Sequence, residues 1–280
     1  MKLISYRINT TASFGLVTDA GLIDLGRRTG QSSLRAFLEH GGIATLQAGV
    51  TSSAPDYRLD EVTLLPVIPD PDKIVCVGLN YHDHVQETGR TVTEKPMLFA
   101  RYPDSQVAHG AAMIRPKVSH DFDYEGELAV IIGTPGRHIA EADALSHIAG
   151  YACYNDGSVR DWQRHTSQFL PGKTFAGTGA FGPWMVTADE ITDPTKLTLQ
   201  TRLNGQIVQH TTTDLMITTI PRLIAYVSTI LPLLPGDVLV TGTPGGVGAK
   251  RTPPLWMKPG DVVEVEISGI GCLRNTIADE

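Results

Sequence analysis

The chain has 280 residues, of which 41% are hydrophobic and 19% are charged, and its net charge at pH 7 is −7. This composition is that of a globular protein long enough to bury a sizeable core. No Lys/Arg cluster is present, which argues against a nucleic-acid-binding surface. The N-terminus lacks the apolar core of a signal peptide. The most apolar stretch, residues 223 to 242, is interrupted by Pro232, Pro235 and Asp237, so no membrane-spanning segment is expected.

The cysteines are few and widely separated. Cys76, Cys153 and Cys272 form no CxxC pair. This pattern favours buried, reduced thiols and predicts a cytoplasmic protein.

The first quarter of the chain predicts a small N-terminal α/β domain. Residues 3 to 25 are typical of strands with a turn at the sequence TDAG, and residues 31 to 48 are plausibly helical. Residues 51 to 72 contain four prolines and therefore predict an extended connector. We place a domain boundary there, with the small domain and its connector over 1–70 and the main domain over 71–280.

The main domain is predicted to consist mostly of short strands. Residues 73 to 78 read as a buried strand, and Asn204-Gly205 between two alternating runs is a strong hairpin signal. Residues 262 to 268 alternate as a further strand, and the sequence CLRNTI is expected to return beside it. Helices are predicted over 220 to 231, with Thr219 as its cap, and over 141 to 149. The expected fold is a β-dominated α+β protein whose strands close into a barrel or roll.

Two glutamates stand at the start of an apolar run in the sequence DYEGELAVIIG, residues 123 to 133. Side chains alternate along a strand, so Glu125 and Glu127 project to the same side. Two neighbouring carboxylates repel each other, and the repulsion is stronger near an apolar core. Uptake of a proton by one of them, or a cation bound between them, relieves it. A solvated strand face with both glutamates exposed explains the pattern equally well.

Further polar residues suggest a complete site. Asp156 follows another apolar run, residues 148 to 154, and is a candidate third ligand for a hard divalent cation such as Mg²⁺. His84 and Glu87 are three apart, so in a helix they share a face and form a candidate general base. Lys173 lies among apolar residues and glycines, where it either binds a substrate oxyanion or snorkels to solvent.

Five segments of the sequence resemble the fumarylacetoacetate hydrolase family and fall in the family's order, over roughly residues 73 to 277. They are GLNYHDHVQE, DYEGELAVIIG, YNDGSVRDWQ, GKTFAGTGAFGPW and LLPGDVLVTGTPGGVG. One departure is visible: Arg101 stands where many members carry lysine.

The resemblance implies a mixed β-roll with a small N-terminal domain, commonly assembled as a homodimer. It implies Mg²⁺, or Mn²⁺ or Ca²⁺, held by Glu125, Glu127 and Asp156. It also implies a water-activating dyad of His84 and Glu87, with Lys173 near the reacting oxygens. The implied substrate contacts are Tyr81, Arg101, Arg160, Gln163 and Thr243.

The implied substrates are small 2-keto acids and 2,4-diketo acids. The leading hypothesis is hydrolysis of a C–C bond in an acylpyruvate-like acid. An alternative on the same fold is decarboxylation of oxaloacetate, or isomerisation or hydration of a 2-hydroxydienoate. A non-catalytic metal-binding protein is the third hypothesis.

Overall fold

A computed structural model describes residues 1–46, 50 and 53–280. The strands of this part of the chain are β1 (Lys2–Ile8), β2 (Thr11–Thr18), β3 (Gly21–Asp24), β4 (Thr63–Leu64), β5 (Ile74–Gly78), β6 (Met97–Arg101), β7 (Gln106–Val107), β8 (Ala112–Arg115), β9 (Phe122–Asp123), β10 (Gly126–Ile132), β11 (Ile148–Asn155), β12 (Ser158–Val159), β13 (Gly179–Thr187), β14 (Thr198–Leu203), β15 (Gln206–Thr212), β16 (Val238–Val240), β17 (Val262–Ile267) and β18 (Gly271–Asp279).

The described helices are short, and the longest of them, Ile220–Ile230, has 11 residues. The α-helices are α1 (Leu25–Thr29), α2 (Leu34–Glu39), α3 (Gly42–Thr45), α4 (His82–Thr88), α5 (Arg160–Gln163), α6 (Leu170–Lys173) and α7 (Ile220–Ile230). The 3₁₀ helices are Leu59–Glu61, Pro103–Ser105, Glu141–His147, Pro194–Lys196, Thr213–Leu215 and Gly248–Lys250.

The N-terminal strands extend the main sheet. The large sheet has the order β3-β2-β1-β13-β11-β10-β16-β5-β6, with β4 added beside β1 and β7 beside β13. The junction is the antiparallel pair β1–β13, in which Lys2 lies opposite Val186. The predicted boundary between 1–70 and 71–280 stays a prediction, and the sheet is continuous across it.

Strand β10 is buried on both of its faces. Leu128, Val130 and Ile132 pack in the same cluster as residues of β14 and β17 in a five-stranded sheet of order β15-β14-β17-β18-β8. Ala129 and Ile131 pack on the other face, in a cluster that includes residues of α2. A strand covered on both faces reads as a continuous apolar run, which is what residues 128 to 132 show.

The predicted hairpin and C-terminal strands are confirmed. Strands β14 and β15 pair antiparallel around Asn204-Gly205, and both turn residues have positive φ, as the favoured two-residue hairpin turn requires. Strand β18 returns beside β17. Helix α7 begins after Thr219 with Pro221 in its first turn and buries its apolar face.

Three other predictions need correction. The predicted β-dominated α+β class is confirmed, but the described strands form open sheets and not a closed barrel, since the large sheet ends at β3 and β6. The helix predicted over 141 to 149 is a 3₁₀ helix that ends where β11 begins. The helical stretch predicted over 31 to 48 is divided into α2 and α3, and residues 47 and 48 lie outside the described residues, as do 51 and 52 of the connector.

Burial of the cysteines is confirmed for two of the three, and Cys272 is half-buried. Cys76, Cys153 and Cys272 are free thiols, and the first two are buried. Among the described residues, the helices are too short or too polar to cross a membrane.

Candidate active site

The antiparallel pairing of β10 and β11 brings three carboxylates together. Gly126 lies opposite Asn155, so the start of β10 meets the end of β11. The Asp156 amide donates to the Glu125 carbonyl at 2.8 Å, and the Glu125 amide donates to the Asn155 side-chain oxygen at 3.0 Å. One ligand oxygen from each of Glu125, Glu127 and Asp156 lies within 4.8 Å of the others. The three residues predicted as ligands therefore form one cluster, the acidic triad.

The acidic triad is buried rather than solvated. Glu125, Glu127 and Asp156 are 5%, 1% and 0% exposed, so the hypothesis of an exposed strand face is wrong. Lys173, at the end of α6, places its Nζ 2.5 Å from Glu125 Oε2 and 2.7 Å from Asp156 Oδ2. Arg160 Nη2 lies 2.7 Å from Glu125 Oε1. Lysine snorkelling is excluded, because Lys173 is 1% exposed.

The charges of the triad are unevenly compensated. Burial disfavours the charged form of Glu125, but Arg160 and Lys173 outweigh burial and lower its pKa to about 2. Burial, reinforced by the carboxylates of Asp156 and Glu125, raises the pKa of Glu127 well above its usual range. The Gly242 amide, which donates to Glu127 Oε2, does not offset that repulsion. Without a metal, Glu127 is therefore the triad carboxyl that most readily takes up a proton.

Arg101 lies behind Asp156, away from the position predicted for it. It is 1% exposed, and its guanidinium donates to Asp156 Oδ1, the Gly157 carbonyl and Thr178 Oγ1. The predicted contact with the far end of a substrate is therefore corrected. Arg101 holds one oxygen of Asp156, and the other oxygen faces Lys173.

His84 and Glu87 form the predicted pair on α4. His84 Nδ1 lies 2.7 Å from Glu87 Oε1, and the other Glu87 oxygen accepts the Gly246 amide at 2.9 Å. The carboxylate favours the tautomer with the proton on Nδ1, which leaves Nε2 as the basic nitrogen. Helix α4 ends at Gly89, whose φ of 69° is the left-handed conformation that suits glycine at a helix end.

The other predicted substrate contacts occupy different positions. Arg160, Gln163 and Thr243 line the same cavity as Glu125, Glu127 and His84. Thr243 Oγ1 donates to the Gly126 carbonyl and accepts from Gln209 Nε2. Tyr81 is buried, and its hydroxyl has no hydrogen-bond partner among the described residues. The nearby Glu127 charge adds to the effect of burial in raising the pKa of Tyr81.

Two buried residues that the sequence did not single out as functional hold this arrangement. Gln209 of β15 accepts the Gly126 amide and donates to Thr243 Oγ1 and the Pro244 carbonyl. Asp123 accepts Arg160 Nε and the amides of Gly248 and Ala249. Asp123 stands two residues before Glu125 in the sequence, which is a local signal, but no local signal marks a glutamine in a hairpin.

These groups surround a cavity of about 790 Å³. Its floor carries Glu125, Glu127 and Lys173, and its apolar wall includes Met97, Phe99, Phe169 and Val247. A cavity of this size and mixed character is typical of small-molecule sites.

The donor set fits a hard divalent cation. Three carboxylates converge, and the cations beside them leave Glu127 uncompensated, as its raised pKa indicates. Oxygen ligands of this kind suit Mg²⁺, Mn²⁺ or Ca²⁺ better than softer ions. Glu125, Glu127 and Asp156 would hold the ion, and Tyr81 offers an unpartnered hydroxyl close to Glu127.

Comparison with known proteins defines the class of the chain. Residues 73–278 match the family model for the fumarylacetoacetate (FAA) hydrolase C-terminal region, and the chain belongs to this family of enzymes.

The chain is similar to human oxaloacetate tautomerase FAHD2A, mitochondrial, with 38% identity over 99% of this chain and 91% of the relative. It superimposes on fumarylacetoacetate hydrolase from psychrophilic Exiguobacterium antarcticum with a TM-score of 0.88 and 35% identity, over 100% of both chains. Maleylpyruvate hydrolase from Sphingobium sp. SYK-6, in complex with manganese(II) and pyruvate, gives a TM-score of 0.83 and 26% identity, over 100% of this chain and 99% of the other.

Replacing Lys173 by methionine is expected to destabilise the metal-free protein. The change leaves the buried carboxylates of Glu125 and Asp156 without their shared ammonium, and breaking a buried pair in this way costs about 3–5 kcal/mol. Urea unfolding in EDTA should show this loss, and saturating Mn²⁺ should recover more stability in the variant than in the wild type. Lys196→Met removes an exposed ion pair and serves as the control. An equal loss in both variants would show that Lys173 does not balance the triad.

Metal binding is expected to strengthen as pH rises and to release protons. The raised pKa of Glu127 means that this carboxyl holds a proton at pH values where Glu125 is already ionised. A divalent cation needs the deprotonated ligand, so lowering the pH favours the metal-free form. Calorimetric titration with Mn²⁺ in buffers of different ionisation enthalpy measures the protons released. A binding enthalpy that is independent of the buffer would contradict the assignment.

Proposed function

We propose that the chain is a divalent-metal-dependent enzyme that interconverts the keto and enol forms of a 2-oxo acid, with oxaloacetate as the first candidate. One observation carries the proposal: His84, oriented by Glu87, lines the same cavity as Glu125 and Glu127 of the acidic triad. The name of the human relative, an oxaloacetate tautomerase similar over nearly the whole chain, supports the choice of reaction.

His84 and Glu87 would carry out the proton transfer of this reaction. His84 Nε2 takes a proton from C3 of the 2-oxo acid and returns it to C3 or to the 2-oxygen, while Glu87 stabilises the imidazolium. Lys173 and Arg160 add positive charge beside the triad, where the enol oxygen becomes negative. A divalent ion held by Glu125, Glu127 and Asp156 would supply Lewis-acid polarisation of the 2-oxo group.

Hydrolysis of a C–C bond in an acylpyruvate or 2,4-diketo acid is the second candidate. The same His84 nitrogen, fixed by Glu87, can take a proton from water instead of carbon. The likeness to maleylpyruvate hydrolase with manganese(II) and pyruvate supports this reaction. Decarboxylation of oxaloacetate and isomerisation or hydration of a 2-hydroxydienoate use the same groups. Membership of an enzyme family argues against a non-catalytic metal-binding protein.

One experiment separates these reactions. Freshly dissolved enol oxaloacetate relaxes to the keto form, and ultraviolet absorbance follows this with and without enzyme, Mg²⁺ and EDTA. We expect acceleration that EDTA removes, without matching release of pyruvate. A relaxation rate unchanged by the enzyme, together with cleavage of acylpyruvates, would reject the tautomerase and support the hydrolase.

Two further expectations stay predictions. The homodimer is tested by light scattering after size-exclusion chromatography. The cytoplasmic location is tested by imaging or fractionation, and the human relative is named as mitochondrial.

A further inference from the structure

The loop of residues 246–251 contacts both the His84–Glu87 pair and the segment that carries two members of the triad. The Gly246 amide donates to Glu87 Oε2 at 2.9 Å. Two further amides of the loop donate to the carboxylate of Asp123, at 2.8 and 2.9 Å. Asp123 stands two residues before Glu125. The loop therefore joins the helix of the base to the segment of the acidic triad.

Tyr124 stands between these two acids and binds the same loop. Its side chain is buried, and its hydroxyl donates to the Gly246 carbonyl at 3.0 Å. Arg251 Nε donates to the oxygen of that hydroxyl, also at 3.0 Å. Because an arginine side chain has donors only, the Tyr124 oxygen accepts from Arg251 and its own proton is directed at the Gly246 carbonyl.

Gly246 is held in one backbone conformation. Its φ is 100°, which favours glycine, and a Cβ at this position would lie 2.3 Å from the Val208 carbonyl oxygen. The carbonyl of Gly246 binds Tyr124, and its amide binds Glu87. A displacement of the carbonyl is therefore passed to the amide and on to the Glu87 carboxylate.

We propose that Tyr124 is a positioning residue for the base: acting through Gly246, it fixes the Glu87 carboxylate and thereby the orientation of the His84 imidazole. The proposal rests on the proposed function, because it takes His84 to be the base. Tyr124 does not border the cavity, so its hydroxyl acts through the loop and not on the substrate. Since Tyr124 directly precedes Glu125, one segment of chain positions a triad carboxylate and the base together.

A double-mutant cycle with Glu87 tests whether Tyr124 acts through this carboxylate. Tyr124→Phe removes the hydroxyl and keeps the ring in the core. A misplacement of about 1 Å can cost about 10²-fold in rate, so we expect kcat to fall about tenfold, with KM and Mn²⁺ affinity changed by less than about twofold. In a Glu87→Ala background the Gly246 amide has no carboxylate to hold, so Tyr124→Phe should lower kcat by less than about twofold.

A second readout does not require turnover. The proton on His84 Nδ1, which is bonded to Glu87 Oε1, is expected to give a downfield ¹H NMR signal in the metal-free protein. The signal is assigned by its absence from the spectrum of His84→Gln. Tyr124→Phe should shift or broaden it, because the carboxylate that accepts this proton is no longer fixed.

Tyr154 provides the matched control. It is a buried tyrosine of β11 whose hydroxyl donates to the side chain of Gln106, and it packs in the cluster on the other face of β10. Tyr154→Phe therefore also removes a tyrosine hydrogen bond from the interior, but not one that reaches the 246–251 loop. It should leave the His84 proton signal and kcat unchanged.

The outcomes separate the role of Tyr124 from the proposed function. An equal fall of kcat in the wild-type and Glu87→Ala backgrounds, or an unchanged His84 signal in Tyr124→Phe, would overturn the role of Tyr124 and leave the proposed function standing. A wild-type protein that turns over neither oxaloacetate nor acylpyruvates would overturn the proposed function, and the NMR signal would still decide whether Tyr124 positions His84. A wild-type spectrum without this signal would overturn the role of Tyr124 and the assigned base together.

Discussion

Replacing Glu127 by glutamine is expected to abolish metal binding and turnover while leaving the metal-free protein at least as stable as the wild type. Glu127 is the triad member whose charge is least compensated, as burial and its two acidic neighbours raise its pKa. Glutamine keeps the oxygen that accepts the Gly242 amide, so the local fold is retained. The variant lacks the negative charge that a hard cation needs, and the loss of Lewis-acid stabilisation should cost several kcal/mol, or at least about 10³-fold in kcat.

Three measurements define this result. Calorimetry with Mn²⁺ should detect no binding, urea unfolding in EDTA should give an unchanged or higher free energy, and turnover should not respond to Mg²⁺. The control is Glu266→Gln, which changes a half-exposed carboxylate of β17 that pairs with Arg202 of β14, and it should behave as the wild type. Metal-dependent turnover that persists in Glu127→Gln would remove Glu127 from the ligand set.

Replacing His84 by glutamine should separate the base from the metal site. His84 lies on α4 and not in the acidic triad, so Mn²⁺ affinity should change by less than about twofold. The proton transfer loses its base, and a single positioned base contributes about 10²–10⁴-fold, so kcat should fall by that factor. Glu87→Gln should give a smaller fall, because it leaves the imidazole in place but removes the charge that stabilises its protonated form.

His82 provides a matched control on the same helix. It is exposed and does not border the cavity, so His82→Gln should retain full activity. If His84→Gln keeps wild-type kcat while its metal affinity is intact, the assigned base is wrong. If it loses metal as well, the site is more tightly coupled than the structure indicates.

Much of the site was predictable because its residues carry local signals. Strand alternation at the start of β10 placed Glu127 and the preceding Glu125 on one side, and helical spacing placed His84 beside Glu87. Asp156 was predicted from its position directly after an apolar run. These patterns depend on the period of a strand or a helix and not on the tertiary arrangement.

The remaining features depend on contacts between distant segments. Arg101 is 55 residues from Asp156, which it binds behind the triad, and Gln209 is 83 residues from Gly126, whose amide it accepts. Neither contact leaves a local pattern in the sequence. Strand order is set in the same way, and this is why the predicted closure into a barrel did not anticipate the open path from β3 to β6.

The metal site can be observed in a crystal grown with MnCl₂ and pyruvate and measured for the anomalous signal of manganese. We expect one strong peak in contact with oxygens of Glu125, Glu127 and Asp156, with pyruvate bound beside it and Lys173 Nζ moved away from at least one of its two carboxylates. No peak at the triad in saturating Mn²⁺, with Lys173 still bridging Glu125 and Asp156, would contradict the assignment of the metal site.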